Sequence, residues 1–466
     1  MGVAVSSWQL AHAVSSEGQL GVVSGTALDA VVARRLQHGD HGGHMRRALR
    51  AFPVPGVGER MIDRYFVPEG TPQGVRLGTK PMHKMKQSRH VAELLVASNF
   101  VEVFLAKEGH GNPVGINSLE KLQVPTLPAL YGAMLAGVDY VLMGAGSPRA
   151  IPGILDGLAA GQPVELKIDV KGATEDTDQH SRFDPVEFTD GVLPPVERPA
   201  FLAIVSSHIL ATMLAKKVEA KVDGFVVEAP TAGGHNAPPR GRGQLTEEGE
   251  PLYGERDEPD FAVIKELGLP FWLAGSRAEP DQIVEALALG ATGVQVGTAF
   301  AFCEESGFEG KIKRTVLEMS ERGEARVFTD PVASPTGFPF KVAQLEGTIA
   351  GEEAYAARPR VCDLGYLRSA YRRDDGSVGW RCASEPIEDF LEKGGTIEET
   401  VGRKCLCNAL MANVGLGQTQ KNGYVEPRLI TSGDDIATVA RFLPPGAETY
   451  RAVDVLNYLL PDRVSA

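Results

Sequence analysis

Cysteine is scarce in this chain, five residues in 466. So few thiols cannot build a disulfide framework, and the odd count suits a reducing cytoplasm. Positive charge is short as well: 47 Lys and Arg stand against 60 Asp and Glu, for a net charge of −13. That balance argues against nucleic acid as a main partner and against the anionic face of a membrane. An acidic carrier protein would need a local basic patch on which to dock. No apolar run approaches the roughly eighteen residues that a membrane span needs. The first thirty residues hold no Lys or Arg, which argues against a signal peptide. Neither a G-x-G-x-x-G turn after a strand nor a G-x-x-x-x-G-K-[ST] loop occurs, which disfavours a Rossmann NAD domain and a P-loop NTPase. The G-x-S-x-G elbow and H-E-x-x-H are missing too.

What is present is a recurring alternation. Short apolar runs at Met1–Val5, Gln19–Val23, Pro113–Asn117, Asp139–Met143, Phe201–Val205, Asp223–Glu228, Phe271–Ala274 and Gly293–Gly297 read as parallel strands covered on both faces. Helical patterns lie between them, among them Thr26–Gln37, Gln87–Ala97, Pro125–Ala136, His208–Val218 and Asp281–Leu289. Eight such strands imply an α/β fold, a (β/α)8 TIM barrel with its site at the strand C-terminal ends; a doubly wound open sheet is the alternative. The barrel is expected over 1–309, with insertions at 24–112 and 160–198. The acidic stretch Gly172–Asp190 reads as an exposed loop or a hairpin with Leu166–Val170. An appended, mainly helical domain is expected over 310–466, capping the barrel mouth. Within it, Tyr371–Trp380 carries an Asp-Gly hairpin turn, Ala333–Pro339 reads as an extended crossing, and helices are expected over Glu385–Glu392, Ile397–Val414 and Thr449–Leu460.

Three groups of residues carry candidate chemistry. After the apolar run ending at Glu228 come Gly233, Gly234 and His235. Two glycines let a flat group approach the backbone, and an imidazole titrating near neutrality stands beside it. Ala274-Gly275-Ser276 ends the seventh expected strand and Gln295-Val296-Gly297-Thr298 the eighth. In barrels these two loops often hold a phosphate on backbone N–H groups; ordinary tight turns are the plainer reading. Asn117, Ser206 and Glu228 are polar residues at other strand ends, where they serve as ligands or simply as caps. The loop Arg240-Gly241-Arg242-Gly243 is a solvated turn or a contact for a phosphate of NADPH or of a phosphopantetheine arm. Four of the five cysteines, Cys362, Cys382, Cys405 and Cys407, crowd into one window. Only a C-x-C is present rather than a C-x₂₋₄-C knuckle, so no metal is expected and buried thiols are the default.

At these residues the chain resembles the nitronate monooxygenase (2-nitropropane dioxygenase-like) superfamily of FMN barrels, through Ala232–His235 and Gly293–Thr298. It is more similar to the PfaD-type enoyl reductases of polyunsaturated fatty acid and polyketide synthases. The stretches that carry this are Gln19–Asp29, Asp40–Arg47, Pro113–Gln123, Gly233–Gly241, Phe271–Gly275, Thr329–Phe340 and Gly402–Leu410. The resemblance implies an FMN-dependent, NADPH-using, trans-acting enoyl reductase. Its substrate would be an enoyl-phosphopantetheine on an acyl carrier protein, its partners synthase subunits, and a homodimer is compatible with it. Gly275, Ser276, Gly297 and Thr298 would hold the phosphate. Asn117, Ser206, Gly233, Gly234, Ala274 and Gln295 would complete the flavin site, with His235 on the substrate side as the catalytic residue. The rival reading is a nitronate monooxygenase, with His235 as base and O2 reoxidising the flavin. A docking subunit that kept the fold without turnover is the third.

Overall fold

The computed structural model describes residues 2–216, 220–241 and 243–461. Its centre is one parallel sheet of seven strands in sequence order: β1 (Gly21–Ser24), β2 (Val114–Leu119), β3 (Tyr140–Gly144), β4 (Ala200–Val205), β5 (Gly224–Glu228), β6 (Phe271–Ala274) and β7 (Gly293–Gln295). Helices follow the strands: Gln123–Leu135, Ile151–Ala159, His208–Lys216, Phe261–Glu266 and Pro280–Ala288. This is the α/β barrel architecture the alternation predicts.

Most of the strands are apolar on both faces because both are covered. Val141, Met143, Phe201, Ala203, Phe225, Val227, Phe271 and Leu273 pack outward into the main core with the helices. Their alternates Leu142, Leu202, Val226 and Ala274 pack together inside, with Val22, Tyr140, Ile204 and Trp272 around them. The period of two carries that inner face onward to Asn117, Gly144 and Glu228 at the strand ends.

The expected strand over Met1–Val5 is absent from the sheet. Met1 lies outside the described residues, and Val3–Val5 form a turn because Ala4 takes the left-handed conformation, φ 52°. The segment still spans the seam between the outer strands. Ser24 N–H donates to Ser6 O at 2.8 Å, and Gly307 N–H, beyond β7, donates to Val5 O at 2.8 Å. The seam is thus plugged without a ladder. The helix expected over His208–Val218 is described to Lys216; Lys217 and Val218 lie outside the described residues.

The 24–112 excursion folds as helices Leu28–Gln37, His44–Arg50, Val57–Tyr65 and the long, nearly all-buried Arg89–Lys107. In the second excursion Val164–Lys167 pairs antiparallel with His180–Phe183. Residues 310–461 hold hairpins as well as helices: Val327–Asp330 with Phe340–Ala343, and Ser369–Arg372 with Val378–Arg381. The second is the hairpin that the Asp-Gly turn predicts. Two expectations there fail. Ala333–Pro339 is a bent loop rather than an extended crossing, because Ser334 Oγ accepts from Thr336 N–H and Gly337 takes φ 82°. The helix over Ile397–Val414 is two, Ile397–Thr400 and Leu406–Ala412, with Gly402 at φ 72° between them.

Candidate active site

A cleft opens at the C-terminal ends of β2, β3, β4 and β5. It encloses about 920 Å³ of space between atoms, part of it open to solvent. Its barrel wall is Asn117, Gly144, Ile204, Glu228, Gly233, Gly234 and His235; the 24–112 excursion adds Thr26 and Ala27, and the C-terminal region adds Phe340, Tyr366, Leu406, Cys407 and Leu410.

Gly234 takes φ 92°, which favours glycine. At Gly233 the close neighbour is protein. A Cβ there would stand 2.6 Å from the carbonyl carbon of Ser432 and 2.7 Å from Gly433 N. The first glycine therefore admits the backbone of the segment Thr431–Gly433. Thr431 Oγ1 accepts from Gly234 N–H at 3.0 Å, and Lys341 N–H donates to Gly234 O at 2.9 Å. His235 is held on two sides. Its Nε2 lies 2.7 Å from Ser334 Oγ, which is 2.8 Å from Thr336 Oγ1. Phe340 meets its ring edge-on at a centroid distance of 4.8 Å. Burial holds its pKa down to about 4, so the imidazole is neutral at pH 7 and has no excess proton to give.

Glu228 is the opposite case. It ends β5 on the inward face, and burial pushes its carboxyl up to about 7. A carboxyl that titrates near neutrality on a cleft wall suits general acid and base work. It stood among the polar strand ends of the sequence but outside the expected site. The signal that would have promoted it is parity, since Val226 lies inside the barrel and Glu228 is two residues on.

The loops after β6 and β7 form a second corner, off the cleft wall. Gly275 and Ser276 both take positive φ, 93° and 47°. Nothing stands within 4 Å of where a Gly297 Cβ would be. Among the described residues the backbone N–H groups of Ser276, Gly297 and Thr298 have no hydrogen-bond partner. Free N–H groups at strand ends and at the start of the turn Thr298–Ala301 are the chemistry of an anion cradle. The Thr431–Asp435 segment covers this corner: Gly433 N–H donates to Thr298 Oγ1 at 2.9 Å, and Lys341 Nζ pairs with Asp434 at 2.7 Å. Ser276 donates to the Asp435 carboxylate, whose pKa burial raises.

Of the expected site residues, Asn117, Gly233, Gly234 and His235 thus meet on the cleft. Gly275, Ser276, Gly297 and Thr298 meet at the corner, flanked by Ala274 and Gln295, while Ser206 lies off the cleft wall with its carbonyl accepting from Arg240 Nη2 at 3.0 Å. Arg240 is committed to protein acceptors, Arg256 O being another at 2.9 Å; Arg242 lies outside the described residues. For a flavin mononucleotide the fit is therefore good: an apolar cleft for the ring beside a corner of unpaired N–H donors for the phosphate.

Residues 178–333 match the family model described as nitronate monooxygenase. The nitronate monooxygenase stretch takes in β4 to β7, Gly233–His235 and both corner loops. It leaves out Asn117 and the C-terminal residues that close over the site. A probable nitronate monooxygenase of Bacillus subtilis (strain 168) is 34% identical over 107 residues, which is 22% of this chain and 28% of that protein. The chain thus matches under a third of that relative's length. Among solved structures, FabK from Thermotoga maritima aligns over 99% of this chain and 90% of its own, at 14% identity and a TM-score of 0.45. The enoyl reductase domain of MlnA from Bacillus amyloliquefaciens aligns over 81% and 86%, at 13% identity and a TM-score of 0.42.

Proposed function

We propose that the protein is an FMN-dependent oxidoreductase that reduces the α,β double bond of an enoyl thioester. The substrate would hang by a phosphopantetheine arm from an acyl carrier protein, with NADPH as hydride donor. The observation that carries this reading is the composition of the cleft. One wall is the barrel with His235 and Glu228; the other is a largely apolar face drawn from both added regions, with Tyr366, Leu406 and Leu410. An acyl chain needs such a face; a small nitroalkane does not.

FMN, when bound, would supply the hydride chemistry. Asn117, Gly233, Gly234 and His235 would lie along its ring. The N–H groups of Ser276, Gly297 and Thr298 would take its phosphate, supported by Ala274, Gly275 and Gln295. His235, neutral and tied to Ser334, orients and donates or accepts one hydrogen bond. Glu228, able to keep its proton near neutrality, delivers a proton to the α-carbon. A groove on the 24–112 excursion carries Arg60, Arg64 and Arg89 beside Asp63 and Glu93; Arg60 and Arg89 pair with Glu93, so Arg64 is the cation it would offer an acidic carrier.

The test is anaerobic. NADPH should bleach the flavin of the purified protein, and an enoyl thioester on acyl carrier protein should restore the oxidised spectrum with one saturated product per turnover. A flavin that NADPH does not reduce, or that the thioester does not reoxidise, would falsify the proposal. Oxidation of a nitronate by O2 is the second reading, favoured by the family match over residues 178–333; rapid nitronate-dependent O2 uptake without NADPH would establish it instead.

A further inference from the structure

Outside the cleft, one group of side chains has no role in the proposed chemistry. Cys362, Cys382, Cys405 and Cys407 line a single small cavity. They reach it from three separate pieces of chain. Cys362 comes from the loop ahead of Ser369–Arg372, Cys382 directly follows Val378–Arg381, and Cys405 and Cys407 sit at the cap and in the first turn of helix Leu406–Ala412. The fifth cysteine, Cys303, belongs to a different core cluster and donates its S–H to Phe300 O at 3.1 Å. The convergence is thus specific to four.

Three of the sulfurs are already dressed as acceptors. Backbone N–H groups of Ser384, Asn408 and Leu367 donate to the sulfurs of Cys382, Cys405 and Cys407. Asn408 Nδ2 also approaches Cys405 Sγ at 3.7 Å. The Arg368 guanidinium, a positive charge, stands near Cys362, Cys382 and Cys407. Burial pushes all four thiols up, and these donors and the cation act against that burial, in the direction a metal-bound sulfur needs.

A single tetrahedral ion would draw all four sulfurs to about 2.3 Å from one centre. Among the described residues no group of three or more His, Cys, Asp or Glu side chains is arranged to hold one metal ion in that way. Four cysteine side chains from three segments converging on one cavity are the ligand set of a centre that several sulfurs share. We propose that Cys362, Cys382, Cys405 and Cys407 bind an iron–sulfur cluster. The cluster would staple three C-terminal segments together. Leu367, Leu406 and Cys407 line both this cavity and the cleft, so it would stand one side-chain layer from the cleft. The site rests on the cysteines alone, whatever the cleft binds.

The experiment is metal and sulfide analysis of the full chain purified without oxygen. The expected result is about two to four iron with matching acid-labile sulfide per chain, and a paramagnetic signal after dithionite reduction. Cys382→Ser should lose more than half of the iron, whereas Cys303→Ser should keep it. Zinc bound at one per chain overturns the proposal. So does a folded wild-type protein that takes up neither iron nor sulfide on anaerobic reconstitution with ferrous iron and sulfide, a result that needs no cysteine variant to interpret.

Discussion

The cleft and the corner are both made by strand ends of one sheet, yet they are electrostatic opposites. At the cleft, low polarity decides everything: it pushes the Glu228 carboxyl up to about 7 and holds His235 down to about 4, so both groups tend to neutrality. At the corner, unpaired N–H groups face a segment that brings Asp434 and Asp435. One region is built to manage a proton and the other to hold an anion. A single sheet yields both because residues of one parity line the barrel interior, while the loops beyond β6 and β7 expose backbone. The comparison also separates glycines by purpose. Gly233 makes room for protein, and Gly297 leaves room for something else.

The sharpest break would come at the cleft. Glu228→Gln keeps the shape and removes the proton, so enoyl reduction should fall by about 10²–10⁴-fold while the flavin spectrum and the reduction of the bound flavin by NADPH persist. His235→Asn should cost much less, because its neutral ring orients rather than donates. Steady-state kinetics of both variants would decide; a His235 variant that loses more than the Glu228 variant exchanges the two roles.

At the corner the expected effects are on binding. Gly297→Asp places a carboxylate among the free N–H groups and should weaken flavin binding by about 1.5–3 kcal/mol, roughly ten- to a hundredfold. Asp435→Asn should act in the opposite direction, tightening it by a few-fold, the size of one partly screened charge. Fluorescence titration of apoprotein with FMN reads both. Equal losses in the two variants would mean that no anion sits there.

The two glycines give a third contrast, in stability. Gly233→Ala drives a Cβ into Ser432 and should cost about 1–3 kcal/mol. Gly297→Ala, with nothing within 4 Å and φ −116°, should stay within about 0.5 kcal/mol. Denaturant midpoints of the two variants suffice. Comparable losses would show that the corner is packed rather than open.

These contrasts mark how far the sequence could be read. Periodicity located all seven sheet strands, because most are buried and apolar on both faces; Gly293–Gln295, half-buried throughout, was legible from its place in the alternation. It miscounted at Gly2–Val5, where an apolar run closes the seam as a turn; the left-handed Ala4 has no local signature. The glycines after β5, β6 and β7 were legible, but what each admits was not, since Thr431–Asp435 returns from two hundred residues away. Glu228 was visible as a strand end, but its raised pKa belongs to the folded cleft. The cysteines read as four unrelated buried thiols because their spacing fits no knuckle, and only the packing of a hairpin against helix Leu406–Ala412 brings them around one cavity.

The smallest expected effect is the pH dependence of stability, and it too divides the two titrating groups. Glu228 has a folded pKa of about 7 against about 4.3 unfolded. Its contribution is therefore fully present below the unfolded value and lost as pH rises through about 7, because the unfolded chain ionises first. His235 has a folded pKa of about 4 against about 6.5 unfolded. Its contribution is present above 6.5 and lost as pH falls through about 4. Both losses meet in the middle, so between pH 4.5 and 7 each group opposes the fold in turn. Glu228→Gln should therefore gain stability over wild type as pH rises from 4.5 to 8, by about 1 kcal/mol once partial exposure is allowed for. His235→Asn should gain instead as pH falls from 7 to 4.5. Melting temperatures across that range would show two variants diverging from wild type in opposite directions. Parallel curves would mean that neither group is held neutral in the fold, and the distinction between cleft and corner would lose its electrostatic basis.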